Sequence, residues 1–353
     1  MIGKWDITSV CNLHCTHCCT GGRDYKRTKT LDLGEVRQVM ESLRDAGVKK
    51  LQFTGGEPLL RRDLPEVLEM TSEYFEGAIL NTHGLLFQGP WLTRERLSRF
   101  EQIIFSLDGP DAETHEAVRG PGTFAPLVKN VRAATDAIAR EGLKITVTMN
   151  AILSRHVVDR ARDFIALTKE LGADVFAINS VVLTANAKKN LLDFTTVTWA
   201  DKYHFVEQMV EAGKEFSVHA TFEATPLGYA YINYKCGTRY RTVFHCGAGK
   251  TGVYIQADGH VHPCMRSTED MPTLTGGREA PNLTHDSMRD VLGSDYFKAF
   301  EALESADQTD LEPCRTCKFR EHCSSCRFEY ARDGKVDECV FLNNTLDALA
   351  ANA

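Results

Sequence analysis

The sequence has no apolar run near the roughly 18 residues needed to cross a bilayer, so no transmembrane helix is expected. It opens Met1-Ile2-Gly3-Lys4-Trp5-Asp6, without the apolar core or the cleavage site of an export signal. A cytoplasmic location is therefore expected. Basic charge is not in excess. The formal net charge of −7 argues against nucleic acid or a membrane surface as a general partner. A local basic stretch, Arg23 to Lys29, runs against that trend and reads as a solvated loop. Internal repeats and low-complexity tracts are missing. No cysteine stands between Cys19 and Cys236, although the chain holds twelve. Without an export signal a disulfide framework is not expected, because cytosolic thiols are kept reduced. Two separated clusters of thiols point instead to metal or iron–sulfur ligation.

The first two-thirds of the chain alternates strand-like and helix-like segments. The short β-branched runs Trp5–Thr8, Lys50–Thr54, Ala78–Asn81, Ile103–Leu107, Lys144–Asn150 and Val175–Asn179 read as strands. Helical patterns lie at Leu33–Ala46, Leu64–Phe75, Thr93–Ser98, Phe124–Arg140 and Val157–Leu171, with a closing helix at Trp199–Phe216. Repeated strand–helix units imply parallel strands with right-handed crossovers. Six units are too few for a complete eightfold barrel. The expected fold class is α/β, a partial (β/α)6 TIM-like barrel over residues 1–216, with active residues at the C-terminal strand ends. Residues 217–353 read as a small Cys-rich domain. It holds a β-hairpin turning at Ala257-Asp258-Gly259, is otherwise loop-like, and depends on its metal to fold. Ala348–Ala353 reads as a fraying helix end.

Cys11-x3-Cys15-x2-Cys18 follows the first strand, where such an active site begins. Three thiolates can hold three irons of a 4Fe–4S cube and leave the fourth open for chemistry. A structural zinc site is the alternative, with His14, His17 or Cys19 as fourth ligand. The segment Cys11-Asn12-Leu13-His14-Cys15-Thr16-His17-Cys18 resembles the CxxxCxxC loop of the radical SAM (S-adenosylmethionine) superfamily. The resemblance implies that the open iron chelates SAM, and that its reductive cleavage gives a 5′-deoxyadenosyl radical that abstracts a substrate hydrogen. It places His17, at a position usually aromatic, near the adenine.

Further motifs fall at successive strand ends. Thr54-Gly55-Gly56-Glu57-Pro58 matches the family's GGE motif. By resemblance, Gly55, Gly56 and Glu57 meet the SAM ammonium, and a close backbone approach and a carboxylate suit that cation. Asn81-Thr82-His83-Gly84 ends the third strand. Ser106-Leu107-Asp108-Gly109 ends the fourth, followed by His115 and Arg119. The resemblance assigns Ser106 and Arg119 to the ribose and carboxylate side of SAM, and Asn150 to the ribose.

Eight more cysteines follow: Cys236, Cys246, Cys264, Cys314, Cys317, Cys323, Cys326 and Cys339. Eight thiolates suffice for two fully ligated 4Fe–4S clusters. Two zinc ribbons are the alternative. The stretch resembles the SPASM extension of radical SAM enzymes. Carried over, the first auxiliary cluster uses Cys236, Cys246, Cys264 and Cys326, and the second Cys314, Cys317, Cys323 and Cys339. The spacing departs from the family's at Cys323-x2-Cys326 and in the long step from Cys236 to Cys246.

The expected cofactors are thus SAM and three 4Fe–4S clusters. The expected activity is that of a radical SAM oxidoreductase or epimerase, acting on a small polar, sugar- or cyclitol-like substrate in natural product biosynthesis. Maturation of a ribosomally made peptide, by thioether or carbon–carbon crosslinking, is the alternative. A non-catalytic zinc- or cluster-binding module is the alternative of another class. An external electron donor such as flavodoxin or ferredoxin is the expected partner. Cys19 is left over by this arithmetic; it reads as a small buried residue or as a hydrogen donor to a substrate radical. Glu223, Asp258 and His262 are candidate bases.

Overall fold

The computed structural model describes all residues except 21–28, 183–184, 243–245, 269–270, 272–274, 306–313, 318–336 and 352–353. Most of the basic stretch, together with Cys323 and Cys326, lies outside the described residues. Nine strands form one sheet: β1 (Ile2–Thr8), β2 (Lys50–Gly55), β3 (Gly77–Thr82), β4 (Phe100–Ser106), β5 (Thr146–Ile152), β6 (Val175–Asn179), β7 (His219–Phe222), β8 (Gly252–Ile255) and β9 (Val261–His262). Their order is β7-β6-β5-β4-β3-β2-β1-β8-β9. Every neighbouring pair is parallel except the β8–β9 hairpin.

Helices fill the crossovers: α1 (Leu33–Asp45), α2 (Leu64–Tyr74), α3 (Arg94–Leu97), α4 (Ala112–Arg119), α5 (Phe124–Arg140) and α6 (Ala161–Glu170). Then come α7 (Ala185–Lys189), α8 (Leu192–Thr195), α9 (Trp199–Phe216), α10 (Pro226–Cys236), α11 (Met288–Gly293), α12 (Asp295–Ser305) and α13 (Asp337–Ala351). The start of α1 is set locally. The Asp32 side chain accepts from Glu35 N, and the Glu35 side chain accepts from Asp32 N, a capping box whose first half is worth about 1 kcal/mol.

Strand alternation sorts the two faces of the sheet. Trp5, Ile7, Leu51, Phe53, Leu80, Ile103, Phe105, Val147, Met149 and Phe176 point to the helices and are buried. Each fully buried side chain of this size contributes about 1.5–3 kcal/mol, so this face drives the folding. Phe164 of α6 stacks on Phe176 with ring centroids 4.8 Å apart. The other face carries Lys4, Asp6, Gln52, Thr54, Asn81, Ser106, Asn150 and Asn179, all of which line one cleft. Strands from β1 to β6 can share a cleft only if the sheet curls around it. The fold is therefore a mostly parallel α/β sheet, curled but open, with β7 and β9 at its edges.

The structure adds to the sequence reading beyond residue 216. β7 extends the parallel sheet from β6, and β8 pairs in parallel with β1 before turning into the hairpin. The loop-like reading of the tail is corrected. α10 and α13 pack on each other and on α9, and α11 packs on α1. The helix expected from Val157 begins at Ala161, because Val157 N and Arg160 N close turns onto Ser154 O and Val157 O.

Candidate active site

The cysteine loop leaves the C-terminal end of β1 and is held from three sides. Gly56 N donates to Thr8 O at 2.8 Å, and Glu57 N donates to Val10 O at 2.7 Å. Thr16 N donates to Val118 O of α4 at 2.9 Å. From α7 and just past it, Asn186 Nδ2 and Asn190 Nδ2 donate to the carbonyls of Cys15 and Thr16, both at 3.2 Å. Asn186 and Asn190 had no signal in the sequence, since isolated asparagines after a strand read as loop.

The glycines of the GGE motif act on this loop. A Cβ on Gly55 would lie 2.3 Å from Thr8 O, and Gly55 has φ +123; a Cβ on Gly56 would lie 2.1 Å from Val10 O. The close approach they permit is made by the chain's own backbone. Gly56→Ala is expected to push Val10 and Cys11 away, at a cost of about 1–3 kcal/mol. Iron content per chain and the urea midpoint should both fall.

Two motifs meet at His83. Its ring accepts from Leu85 N at Nδ1, 3.1 Å, so Nε2 carries the proton and donates to Asn12 Oδ1 at 2.8 Å. Burial pushes His83 down to about 4, so it stays neutral. Glu57 is 1% exposed. Its carboxylate accepts from Leu59 N, the Thr82 hydroxyl and His83 N at 3.1, 2.7 and 2.9 Å. Burial still pushes Glu57 up to about 7, against those donors. Glu57 thus ties β2 to the end of β3, and most of its acceptor capacity is already used.

Asp108 anchors the far side. Burial would raise its pKa, but Arg119, foremost among the opposing groups, holds the carboxyl down at about 2. Arg119 Nε meets Asp108 Oδ2 at 2.5 Å, and Arg119 Nη1 lies 3.9 Å from Cys15 Sγ. His17 Nε2 is 3.8 Å from Asp108 Oδ2. Burial pushes His17 down to about 4, and the ring is neutral. Its Nδ1 is buried and has no hydrogen-bond partner among the described residues.

Cys11, Cys15, Cys18, Cys19, His17, Gly55, Gly56, Glu57, Ser106, Arg119 and Asn150 all line a single cleft of about 450 Å3. Asn150 Oδ1 accepts from Asn179 Nδ2 at 2.6 Å, and Gln52 Nε2 donates to Asn81 Oδ1 at 2.8 Å. Of the lumen residues, Asn81 opens a strand-end motif, whereas Lys4, Gln52 and Asn179 carry no motif in the sequence. The alternation in Lys4-Trp5-Asp6-Ile7 carries them, but a polar strand face ordinarily reads as solvent-facing. The opposite rim of the cleft comes from the tail: Glu223, Met265 and Arg266, with Arg266 Nη2 on Glu223 Oε2 at 2.8 Å. Of the candidate bases only Glu223 lines the cleft. His262 meets the Tyr296 hydroxyl at 2.7 Å, and Asp258 pairs with His260 in the hairpin turn.

The donor set fits an iron–sulfur cube and SAM. Cys11, Cys15 and Cys18 are thiols on one cleft wall; Cys11 is exposed, and burial pushes Cys15 up to about 11. Such thiols give up their protons to a metal. Among the described residues no three His, Cys, Asp or Glu side chains gather to hold a single metal ion. A cube asks for something else, one thiolate at each of three corners. The partnerless His17 Nδ1 suits a ligand atom in the cleft. In the tail, Cys236 and Cys339 are buried, and Cys246, Cys264, Cys314 and Cys317 are half-buried. With Cys323 and Cys326 outside the described residues, neither four-cysteine set is seen whole.

Residues 5–165 match the radical SAM superfamily, and residues 246–318 match the SPASM iron–sulfur cluster-binding domain. This is a radical SAM enzyme with a C-terminal SPASM domain. Its cofactors are SAM and 4Fe–4S clusters, auxiliary ones among them. The chain is similar to the AdoMet-dependent heme synthase of Methanosarcina barkeri, 23% identical over 96% of this chain and 95% of that protein. It is also similar to the mycofactocin maturase MftC of Mycolicibacterium smegmatis, 29% identical over 75% of this chain and 64% of that protein. Two solved structures share the fold. One is Streptococcus suis SuiB bound to precursor peptide SuiA, with TM-score 0.68, 14% identity, and 91% and 70% of the two chains covered. The other is anSMEcpe with bound AdoMet, with TM-score 0.68, 15% identity, and 92% and 88% covered. Among the described residues no helix is long and apolar enough to cross a membrane.

Proposed function

We propose that this radical SAM enzyme matures a peptide substrate by abstracting a hydrogen atom from it. The observation that carries the reading is the cleft itself. Its inner wall is the three-cysteine loop, and its opposite rim is the tail segment beside Cys264. A substrate lying there would sit between the two cysteine-rich parts of the chain, residues 1–216 and 217–353. A sugar- or cyclitol-like substrate is the expectation from sequence; the relatives favour a peptide. Support comes from the mycofactocin maturase and from SuiB with its precursor peptide. The amide side chains Gln52, Asn81, Asn150 and Asn179 suit it chemically, since each offers both a donor and an acceptor to a peptide backbone.

When bound, SAM and its cluster would supply a 5′-deoxyadenosyl radical, and the auxiliary clusters would provide a route for single electrons. Cys11, Cys15 and Cys18 hold the first cluster; His17, Ser106, Asn150 and Arg119 surround SAM. By the family resemblance, Cys236, Cys246, Cys264 and Cys326 would hold one auxiliary cluster, and Cys314, Cys317, Cys323 and Cys339 the other. Glu223, exposed at the rim, takes the substrate proton. A flavodoxin- or ferredoxin-type donor supplies the reducing electron. Cys19 Sγ lies 3.9 Å from Met265 Sδ, on the cleft wall. If Cys19 quenches a substrate radical, Cys19→Ala keeps SAM cleavage and loses product; unchanged product removes that role.

The deciding assay incubates anaerobic, cluster-loaded enzyme with SAM, reductant and candidate peptides or sugars. 5′-Deoxyadenosine formed in step with a mass change in a peptide is the expected result. Turnover coupled to a sugar instead overturns the reading. A second reading, an iron-porphyrin substrate, is supported by the end-to-end match to heme synthase, and an iron-porphyrin arm of the same assay tests it.

A further inference from the structure

The Ser106-Leu107-Asp108-Gly109 motif holds a residue that the proposed function leaves without a role. We infer that the buried Asp108–Arg119 pair sets the reduction potential of the cluster on Cys11, Cys15 and Cys18, by holding a guanidinium N–H against the Cys15 sulfur.

The pair is built by the fold. Asp108 follows β4, and Arg119 is the last residue of α4, the helix that comes next. Gly109 lets α4 return tightly, since a Cβ there would meet His115 N at 2.2 Å. Asp108 N donates to His115 Nδ1 at 3.2 Å, and Ile152 N donates to Asp108 Oδ1 at 2.8 Å. The carboxylate is fully buried and immobilised by β5 and α4. It takes Arg119 Nε at 2.5 Å, which leaves Nη1 facing Cys15 Sγ at 3.9 Å. The preceding residue of α4, Val118, fixes the same loop through Thr16 N.

The Arg119 side chain is 10% exposed and Asp108 is fully buried. A buried ion pair of this kind gains little over an apolar pair of the same volume. Stability is therefore a poor reason for two charges beside three thiols. An electrostatic reason is better. Reducing a thiolate-ligated cluster adds negative charge, which a nearby cation and a hydrogen bond to sulfur favour. Asp108 partly offsets that cation and fixes its direction. Holding SAM remains open to Arg119 as well, because a guanidinium has five N–H donors and two are accounted for here.

The test is a redox titration of the cluster-loaded protein without SAM, followed by electron paramagnetic resonance. The cluster in question is the one whose reduced signal changes when SAM is then added. Arg119→Gln should shift its midpoint potential downward, and Arg119→Lys should fall between. Asp108→Asn should shift it upward, because the guanidinium stays buried and is no longer offset. The auxiliary clusters should not move. A role confined to holding SAM would leave the SAM-free potential unchanged in Arg119→Gln, and that result overturns the inference. So does a common shift of every cluster. If Arg119→Gln fails to load, Asp108→Asn decides, and an unchanged or lowered potential there overturns it. The inference rests on Cys15 being a cluster ligand. That premise fails separately, if Cys15→Ala retains the SAM-responsive signal.

Discussion

Cys15→Ala is expected to reduce 5′-deoxyadenosine formation to background and to remove the SAM-responsive cluster. Iron should fall from about twelve to about eight per chain, the count for three clusters and for two. The reasoning starts from burial. Cys15 is the most enclosed of the three loop thiols, 8% exposed, and its backbone is tied to α7 through Asn186. Serine or water cannot easily replace a sulfur in that position without losing the loop's packing. The exposed His14 gives the contrasting result. A cube held by three thiolates does not need it, so His14→Ala should keep the iron. Loss of metal in His14→Ala, with zinc found in the wild type, would return the loop to a four-ligand structural site.

The cysteine loop was legible because its chemistry is dense. Three thiols at fixed spacing, followed by Gly-Gly-Glu and Ser-Leu-Asp-Gly at successive strand ends, leave few other meanings. Helix α5 was equally plain, with the same bounds in sequence and structure, because its buried residues recur at helical spacing. What the sequence hid had physical reasons. α4 buries only His115 and Val118, so no apolar stripe marks it; its one signal is Asp111, whose side chain caps Thr114 N. α10 buries Leu227, Tyr231 and Ile232 but carries further apolar side chains around its circumference, which erases the period. The pairing of β8 with β1 joins residues 250 positions apart, such as Ile2 and Gly252, and nothing local announces a contact of that range. For Glu57 the family resemblance implies a carboxylate at the SAM ammonium, while the fold adds three donors of its own chain that no local pattern in the sequence announces.

That difference sets the last expected result. Glu57→Ala leaves Leu59 N, the Thr82 hydroxyl and His83 N unsatisfied at a buried site. At about 1–3 kcal/mol for each orphaned group, the loss is at least about 3 kcal/mol, and the end of β3 loosens where His83 holds Asn12. Glu57→Gln separates the hydrogen bonds from the charge. Its oxygen can keep Leu59 N and Thr82, while its amide faces His83 N, so it should lose less. The pH dependence has a definite sign. Burial raises Glu57 from 4.5 to about 7, so the folded state keeps a proton that the unfolded state has released. Between those values stability falls as pH rises, by a total on the order of 3 kcal/mol. Glu57→Gln has no such titration. Its melting temperature should therefore gain on the wild type between pH 5 and pH 8, whatever the other groups do, since they are common to both proteins. Parallel curves for the two cluster-loaded proteins would mean that Glu57 is already ionised when it folds, and that its three donors outweigh the cost of burying it.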